Sequence, residues 1–325
     1  MKITLAHGSG GKQTSDLINE IFAGVYGNEV LAEMEDSAVV PSSKNIAVTT
    51  DSFVVKPMFF KGGDIGRLAV CGTVNDLLMR GAQPKYLTSA FIIEEGADSG
   101  ELKKIAQSMA EAAAEAGVII AAGDTKVVEG RGEIYINTSG IGFVKDKNIS
   151  SSACRKGDKI ILSGNIGDHH SAILSARMNI ENNIKSDCAP LNVMVCSLLD
   201  ENIQVHAMRD VTRGGLGTIL NELAEASGVS IRLNEADIPV DSEVKAFADI
   251  LGLELMNMGN EGKMVCAVAP NDAERALSII KASPYGENAE IIGEVAEGEG
   301  VLMQTAIGGV RRVPVLIGEG LPRIC

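Results

Sequence analysis

GDIGRLAVCGTVNDLLMRG, residues 63–81, is the stretch that decides how this chain folds. It is typical of a helix that ends at Gly81, because glycine favours helix ends and Pro84 lies just beyond. Its side chains are mostly apolar, so the helix is predicted to be largely buried. Asp76 interrupts that pattern, and a buried carboxylate requires a partner. The stretch therefore predicts a central helix with a charged site beside it.

Strand and helix patterns alternate along the rest of the chain. The Ala-rich GELKKIAQSMAEAAAEAG (100–117) indicates an amphipathic helix, and VIIAAGDTKVV (118–128) indicates a strand that runs into a turn. The polar, Ser-rich KDKNISSSACRKGDKI (145–160) is typical of a domain boundary. We predict an α+β fold with two domains, residues 1–150 and 151–310, and a flexible tail, residues 311–325.

The composition excludes several classes of function. Acidic residues outnumber basic ones by 43 to 29, and the resulting net charge of -14 repels nucleic acid and anionic membranes. Hydrophobic residues make up 45% of the chain, enough for a sizeable core, and no apolar run is long enough to span a membrane. The start MKITLAHGSG does not resemble a signal peptide, and the six cysteines form no CxxC pair. We therefore expect a cytoplasmic protein with reduced thiols.

The first chemical signal is HGSGGK, residues 7–12. Gly8, Gly10 and Gly11 allow backbone N–H groups to turn inward and bind anionic oxygens, and Lys12 adds a positive charge. The spacing matches neither the Walker A loop nor the dinucleotide fingerprint, so a flexible glycine loop is the alternative.

Acidic residues at strand ends and turns form the second signal. Each of them alone could be a cap or turn residue, but together they predict a Mg²⁺ site that also takes phosphate oxygens. Lys126 lies two positions after Asp124 and would face a phosphate; the alternative is an ordinary surface lysine. The acidic candidates are Asp36, Asp51, Asp76 and Asp124.

The second half of the chain adds two candidate segments. RDVTRGGLG contains Asp210, Arg213, Gly214 and Gly215 at the start of a predicted helix, and helix N-termini bind anions. NEGK places Glu261 beside a glycine, which would let the carboxylate approach a ligand closely, although a charge at a loop tip is the alternative.

These motifs together resemble the HypE family of hydrogenase-maturation carbamoyl dehydratases. The resemblance extends over the whole chain and rests on HGSGGK, TTDSFVV, GDIGRLAVCGTVNDL, GDTKVV, RGGL, NEGK and the terminal PRIC. HypE is similar to aminoimidazole ribonucleotide synthetase, thiamine monophosphate kinase and selenophosphate synthetase, which all use ATP. The resemblance implies a homodimer whose N-terminal halves pair into a barrel, with ATP and Mg²⁺ bound beside it. Only the Pro-Arg-x-Cys end distinguishes HypE within this superfamily.

Two positions depart from the pattern of the family. His170 stands where the family usually has the last Gly of Gly-Asp-His-Gly, and Val211 stands where it has the Pro of Asp-Pro-Thr-Arg-Gly-Gly. Neither change removes a charged group. The adjacent His169 and His170 lack a third ligand nearby in the sequence, so we do not predict a metal site there.

The implied reaction explains the thiol of Cys325. In HypE-like enzymes a carbamoyltransferase, HypF, loads this thiol with a carbamoyl group, which ATP-dependent dehydration converts to a thiocyanate. Phosphate is a better leaving group than an amide oxygen, and removal of the N–H protons completes the C≡N bond. The family then implies a HypC–HypD complex as the cyanide acceptor, on the way to the iron of NiFe-hydrogenase.

The family implies a role for each candidate residue. Asp51, Asp76 and Asp124 fit the metal role, Lys126 fits phosphate stabilisation or proton transfer, and Glu261 is the predicted general base. Two alternatives stay open at this point. One is another enzyme of the superfamily, such as a selenophosphate synthetase or a small-molecule kinase, and the other is an ATP-responsive binding protein without catalysis.

Overall fold

Two large β-sheets, one in each half of the chain, organise the protein, and a small two-stranded sheet lies in the N-terminal half. A computed structural model describes residues 2–8, 12–32, 37–38, 40–144 and 149–315. The N-terminal half contains a 3-10 helix (Leu5–Gly8), α1 (Lys12–Leu17), a π-helical stretch (Ile18–Ala23), α2 (Gly24–Tyr26), α3 (Glu29–Ala32), β1 (Ile46–Phe53), β2 (Phe59–Phe60), β3 (Gly63–Asp64), α4 (Ile65–Met79), β4 (Ala82–Glu94), α5 (Ser99–Ala116), β5 (Ile119–Val128) and β6 (Ile134–Val144).

The C-terminal half continues with the second sheet and its helices. Its elements are β7 (Lys159–Leu162), α6 (Asp168–Met178), α7 (Asn192–Asp200), β8 (Val205–Asp210), α8 (Gly215–Ser227), β9 (Ser230–Asn234), α9 (Ser242–Leu251), β10 (Met264–Val268), α10 (Ala273–Ala282), β11 (Glu290–Ala296), β12 (Gly300–Gln304) and β13 (Val310–Val313), with short 3-10 helices at Glu235–Asp237, Leu255–Asn257 and Pro270–Asp272.

The helix predicted from residues 63–81 is α4, and it is the central helix of the N-terminal half. Asp64 caps it, because its carboxylate accepts the backbone N–H groups of Gly66 (2.7 Å) and Arg67 (3.0 Å). Gly81 follows the helix with a φ of 63°, a left-handed conformation that glycine adopts without strain. The prediction of a buried helix is confirmed, since nearly all of its side chains lie in the interior.

The N-terminal sheet has four strands in the order β1-β6-β4-β5. α4 packs against β1, β6 and β4, and α5 packs against α4, so both helices cover the same face. The opposite face leaves large apolar side chains exposed, among them Val48, Ile92 and Ile119. Within the described strands, β1 and β5 are the unpaired edges of this sheet.

The C-terminal sheet has seven strands in the order β13-β12-β9-β11-β7-β10-β8. Its pairs are antiparallel except β9 with β12. α8 packs against β9 and β12, while α7 and α10 pack against each other on the other side of the sheet. The fold is therefore mixed helix and sheet in two halves, as the sequence predicted.

One apolar core connects the two halves. It contains Val74 and Leu78 of α4, Val195 of α7 and Met208 of β8, all at most 2% exposed. The predicted boundary near residue 150 falls between β6 and β7, but the core is not divided there. α4 is consequently packed against both sheets, and its carboxylate, Asp76, lies where they meet.

The first three residues of the predicted tail belong to the C-terminal sheet. Residues 311–313 were assigned to the tail, but they belong to β13, which pairs with β12 in an antiparallel register. Val313 is 1% exposed, and its carbonyl accepts a hydrogen bond from the Asn221 side chain at 3.0 Å. The basic pair Arg311 and Arg312 favoured the prediction of a tail, but basic side chains are also common on edge strands.

Two further expectations concern thiols and membranes. Cys71 and Cys266 are fully buried in apolar surroundings, as predicted for small core residues, and every cysteine in the described part is a free thiol. No helix among the described residues combines the length and the apolar character that a membrane crossing requires.

The close crossing of α4 and α5 yields a prediction. A Cβ atom on Gly66 would lie 2.4 Å from the backbone oxygen of Ile105, so Gly66→Ala should lower the free energy of unfolding by about 1–3 kcal/mol. Gly72→Ala is the matched control in the same helix, because its Cβ would meet only the Phe53 ring, at 3.0 Å. Urea unfolding of both variants measures the difference. Equal stability of the two would contradict the tight crossing.

Candidate active site

An acidic cluster lies where the two halves of the chain meet. Asp76 on α4 accepts a hydrogen bond from the Thr49 hydroxyl of β1 at 2.8 Å. Asp51, two residues farther along β1, lies 3.8 Å from a guanidinium nitrogen of Arg213 in the C-terminal half. Asp210 ends β8, which packs against α4. The arrangement brings carboxylates from both halves to one place.

The carboxylates of the cluster raise one another's pKa. Burial, followed by the charge of Asp51, raises the pKa of Asp76. Burial and the charge of Asp76 raise the pKa of Asp210 to about 6. Burial and the charges of Asp210, Asp187 and Asp51 raise the pKa of Glu261 well above its ordinary value. Such mutual repulsion marks a site suited to a cation or to a proton acceptor.

The glycines that follow Asp210 let α8 begin close to its neighbours. Gly214 and Gly215 have φ values of 83° and 65°, in the left-handed region that favours glycine. A Cβ atom on Gly215 would lie 2.5 Å from the backbone of Asn257. This backbone geometry is the reason for the Gly-Gly pair, and the exposed side chain of Arg213 just before it turns toward Asp51.

The loop that carries Glu261 is fixed by backbone hydrogen bonds on both sides. Asn260 donates its N–H to the carbonyl of Val211 at 2.9 Å, and its side chain accepts the N–H of Gly167 at 2.8 Å. Val211 in turn donates to the carbonyl of Lys263 at 2.8 Å. Glu261 is 6% exposed, so it is not the loop-tip charge that the alternative interpretation required.

Asp124 and Lys126 lie away from this cluster. They form an ion pair of 3.0 Å on β5, and their side chains are 60% and 66% exposed. β5 and β1 are opposite edges of the sheet. Val127, which follows Lys126 and therefore points to the other face of β5, packs on the core. The side chains of Asp124 and Lys126 therefore point to the open face, while Asp51 lies on the face that α4 covers. A single chain does not bring Asp124 together with Asp51 and Asp76.

The described residues offer no ready-made group of three or more metal-binding side chains. Asp51 and Asp76 are nevertheless close enough for the charge of one to raise the pKa of the other. Hard carboxylate oxygens in such a pair fit Mg²⁺, which typically takes only one or two carboxylates and completes its shell with water and phosphate oxygens. The pair fits the predicted metal, and the assignment of Asp124 as a third ligand stays a prediction.

Some predicted residues lie outside the described ranges. These are Gly10, Gly11, Asp36 and Cys325. Of the glycine loop, Gly8 ends a short 3-10 helix and Lys12 begins α1.

Sequence reasoning missed the polar groups behind Glu261. Asp187 is buried and accepts the backbone N–H groups of Glu261 at 3.1 Å and Gly262 at 3.2 Å. Lys263 Nζ lies 4.0 Å from the same carboxylate. Asp168 at the start of α6 is close enough for the charges of Asp187 and Lys263 to act on it. No local pattern links residues so far apart in the chain.

The two histidines that the sequence set aside are buried at the start of α6. His169 Nδ1 lies 2.8 Å from the Ser186 hydroxyl. Burial lowers the pKa of His169 to about 3 and that of His170 to about 4, so both rings are neutral. Among the described residues, the buried side-chain atoms without a hydrogen-bond partner all belong to this turn: Asp168 Oδ1, His169 Nε2, His170 Nε2 and Ser171 Oγ.

Fold and site together define a protein of the AIR synthase related class. Residues 34–144 match the N-terminal domain of AIR synthase related proteins, and residues 155–304 match their C-terminal domain. Within this class the chain belongs to the HypE family of carbamoyl dehydratases, which confirms the resemblance found in the sequence.

Known members of the family match the chain over nearly its whole length. It is 46% identical to the carbamoyl dehydratase HypE of Cupriavidus necator, with 100% of this chain and 95% of the relative covered. A crystal structure of HypE in complex with ATP has a TM-score of 0.96, 42% identity and 99% of each chain covered. The structure of a HypE–HypF complex has a TM-score of 0.82 and 48% identity, and covers 92% of this chain and 99% of the other.

The environment of Asp168 predicts a pH dependence of stability. Burial, and then the charges of Asp187 and Asp241, raise its pKa to about 7 against the opposing effect of Lys263. A folded-state pKa above the unfolded-state value means that stability falls as pH rises from about 4 to 7, since ionisation costs more in the folded protein. Asp168→Asn cannot ionise, so it should lose less stability than the wild type between pH 5 and pH 8.

Urea midpoints at the two pH values measure this effect. Asp249→Asn, which removes an exposed carboxylate on α9, is the control and should retain the wild-type dependence. An Asp168→Asn protein with the same pH dependence as the wild type would contradict the assignment.

Proposed function

We propose that the acidic cluster removes the elements of water from a carbamoyl group on the Cys325 thiol and leaves a thiocyanate. The carbamoyl oxygen leaves as phosphate after it has accepted the terminal phosphoryl group of ATP, and two N–H protons go to bases. The observation that carries the proposal is the buried Glu261 beside paired carboxylates, at the meeting of the two halves. Membership in the HypE family supports the substrate.

The nucleotide would bind beside the acidic cluster, where the two halves meet. The relative solved with ATP covers 99% of this chain, which supports ATP as the phosphoryl donor. Asp51 and Asp76 would hold Mg²⁺, which, when bound, neutralises phosphate charge. Arg213, near Asp51, and the backbone around Gly214 and Gly215 would add positive charge and N–H donors.

Glu261 would act as the general base. Burial and three neighbouring carboxylates raise its pKa, so it accepts a proton more readily near neutral pH than an exposed glutamate does. Its burial also keeps bulk water from the activated carbamoyl group, which water would otherwise hydrolyse. Lys126 would stabilise developing phosphate charge or transfer a proton.

We infer a homodimer because one chain leaves this site incomplete. Asp124 and Lys126 lie on the open face of the N-terminal sheet, away from Asp51, Asp76 and Glu261. The same face exposes apolar side chains such as Val48, which a partner sheet would cover in a paired barrel. The partner would then bring its own Asp124 and Lys126 toward the cluster.

Two protein partners follow from the reaction. A carbamoyltransferase, HypF, would load Cys325, and a related chain has been solved as a HypE–HypF complex. A HypC–HypD complex would accept the cyanide. We also propose that the protein works in the cytoplasm, where its free cysteines stay reduced.

The role of Glu261 predicts a chemical defect without a binding defect. Glu261→Gln keeps the shape of the side chain but cannot take a proton, so the carbamoylated form should accumulate when HypF, carbamoyl phosphate and ATP are supplied. Intact-mass analysis should detect the carbamoyl adduct without the later loss of one water. Asp76→Asn is the companion variant and should weaken Mg²⁺-ATP binding in calorimetry. Formation of the cyano adduct by Glu261→Gln at the normal rate would exclude Glu261 as the general base, and Lys126 would then be the next candidate.

The acceptor role of Cys325 predicts that loss of its thiol abolishes thiocyanate formation without affecting ATP binding. Cys325→Ser, and a protein that lacks residues 322–325, should both bind ATP normally and yield no thiocyanate, because the attacking thiol is missing. The same mass assay measures this. A tail-deleted protein that still forms a cyano adduct would show that the thiol of Cys325 is not the acceptor.

The inferred dimer predicts complementation between two inactive variants. Lys126→Ala and Glu261→Gln proteins should each be inactive alone. A refolded mixture contains mixed dimers in which one site has an intact Glu261 from one chain and an intact Lys126 from the other, so the cyano adduct should reappear. Mixing Glu261→Gln with Asp76→Asn is the control, because both residues belong to one chain's cluster. Absence of activity in the first mixture would exclude a shared site.

A further inference from the structure

The segment of residues 186–191 connects α4, the helix that carries Asp76, with the loop that carries Glu261. Asp187 makes the contact to that loop: one carboxylate oxygen accepts the N–H of Glu261 at 3.1 Å, and the other accepts the N–H of Gly262 at 3.2 Å. Ala189 adds a third bond, because its N–H donates to the carbonyl of Glu261 at 3.3 Å. The backbone of Glu261 is therefore held from both its N–H and its carbonyl side.

The other end of the segment is tied to α4. Asn75, next to Asp76, donates its side-chain N–H to the carbonyl of Ala189 at 3.0 Å and accepts the N–H of Leu191 at 2.9 Å. Arg67, two turns earlier on α4, donates to the carbonyl of Cys188 at 2.8 Å. Asn75 is 2% exposed, so water does not compete for these bonds.

The segment has little room to move. A Cβ atom on Gly262 would lie 1.9 Å from the backbone oxygen of Asp187, so only glycine allows this close approach. On the opposite side, Ser186 donates its N–H to the carbonyl of Lys61 at 2.8 Å, and its hydroxyl accepts the N–H of Cys188 at 3.1 Å. The segment is thus a rigid link between the two halves of the chain.

We propose that Asp187 is a positioning residue that fixes the Glu261 carboxylate relative to Asp76, through the segment anchored on Asn75. A carboxylate buried next to other carboxylates is a poor choice for stability alone, since desolvation and repulsion oppose it. Its value lies in geometry, because two oxygens in a plane receive two successive backbone N–H groups and set the direction of the side chain between them. The inference rests on the proposed role of Glu261 as the base.

The test uses Asp187→Asn in the full-length protein, loaded by HypF. The amide replaces one of the two acceptor oxygens with an NH2 donor, which faces a backbone N–H that an oxygen accepts in the wild type, so the two-oxygen contact that directs Glu261 is lost. The limiting rate of dehydration at saturating ATP should fall on the order of 10- to 100-fold, while the ATP concentration for half that rate stays within about twofold. A purely structural role would not produce this split between rate and apparent affinity.

Asp158→Asn is the matched control. Asp158 is another buried carboxylate of the C-terminal half, and it accepts the N–H of Arg155 at 2.8 Å and lies 2.8 Å from His206, without contact to the Glu261 loop. This variant should lose stability yet keep the limiting rate when it is assayed well below its unfolding temperature. Equal loss of rate in both variants would overturn the proposal, as would an unchanged rate in Asp187→Asn.

A double variant separates this inference from the role of Glu261. In the Glu261→Asp background, which keeps a shorter carboxylate base and therefore a measurable rate, Asp187→Asn should cause a smaller loss of rate than in the wild type, because it acts through a carboxylate that is already displaced. The same fold loss in both backgrounds would mean that Asp187 acts elsewhere and would overturn the inference even if Glu261 is the base. Normal dehydration by Glu261→Gln itself would instead remove the proposed base. If Asp187→Asn does not fold, Asn75→Ala, which breaks the other end of the segment, should give the same split.

Discussion

Mutual repulsion among buried carboxylates is the constraint on which the rest of the structure depends. Asp76, Asp210 and Glu261 come from three different elements; the charge of Asp76 raises the pKa of Asp210, and the charge of Asp210 raises the pKa of Glu261. A cluster of this kind is stable only if the surrounding structure holds it together against desolvation and charge. The hydrogen bonds around Asn260, the Gly214–Gly215 turn and the segment of residues 186–191 supply that support.

α4 is the element that makes such a cluster possible. It is buried on most sides because it packs against the N-terminal sheet, α5 and β8 at once. A helix in this position carries a side chain into the space between the halves without exposing it widely to solvent. Asn75 fixes the segment of residues 186–191 by hydrogen bonds, and Asp76 contributes a negative charge to the cluster.

The sequence predicted what local patterns encode. α4 was predicted from its apolar run and from Gly81, and Asp76 and Glu261 were selected as candidate site residues because they are carboxylates in unusual surroundings. The order of strands was not predictable, so nothing indicated that β1 and β5 would be opposite edges and that Asp124 would lie apart from Asp51. Asp187 was missed because its partners are 74 and 75 positions away. β13 was missed because an edge strand with two arginines has the composition of a tail.

The placement of Val313 in β13 fixes the point from which the chain runs on to the proposed acceptor thiol of Cys325. Cys325 lies twelve positions beyond Val313, and an extended chain of that length reaches at most ~40 Å. A thiol confined to a sphere of that radius has an effective concentration on the order of millimolar. Selection of the substrate then requires no dedicated pocket for a carbamoyl group. Covalent attachment to the chain raises the local concentration of the substrate, as binding affinity does in other enzymes. Free carbamoyl compounds at lower concentrations would then compete poorly with the group carried on the chain itself.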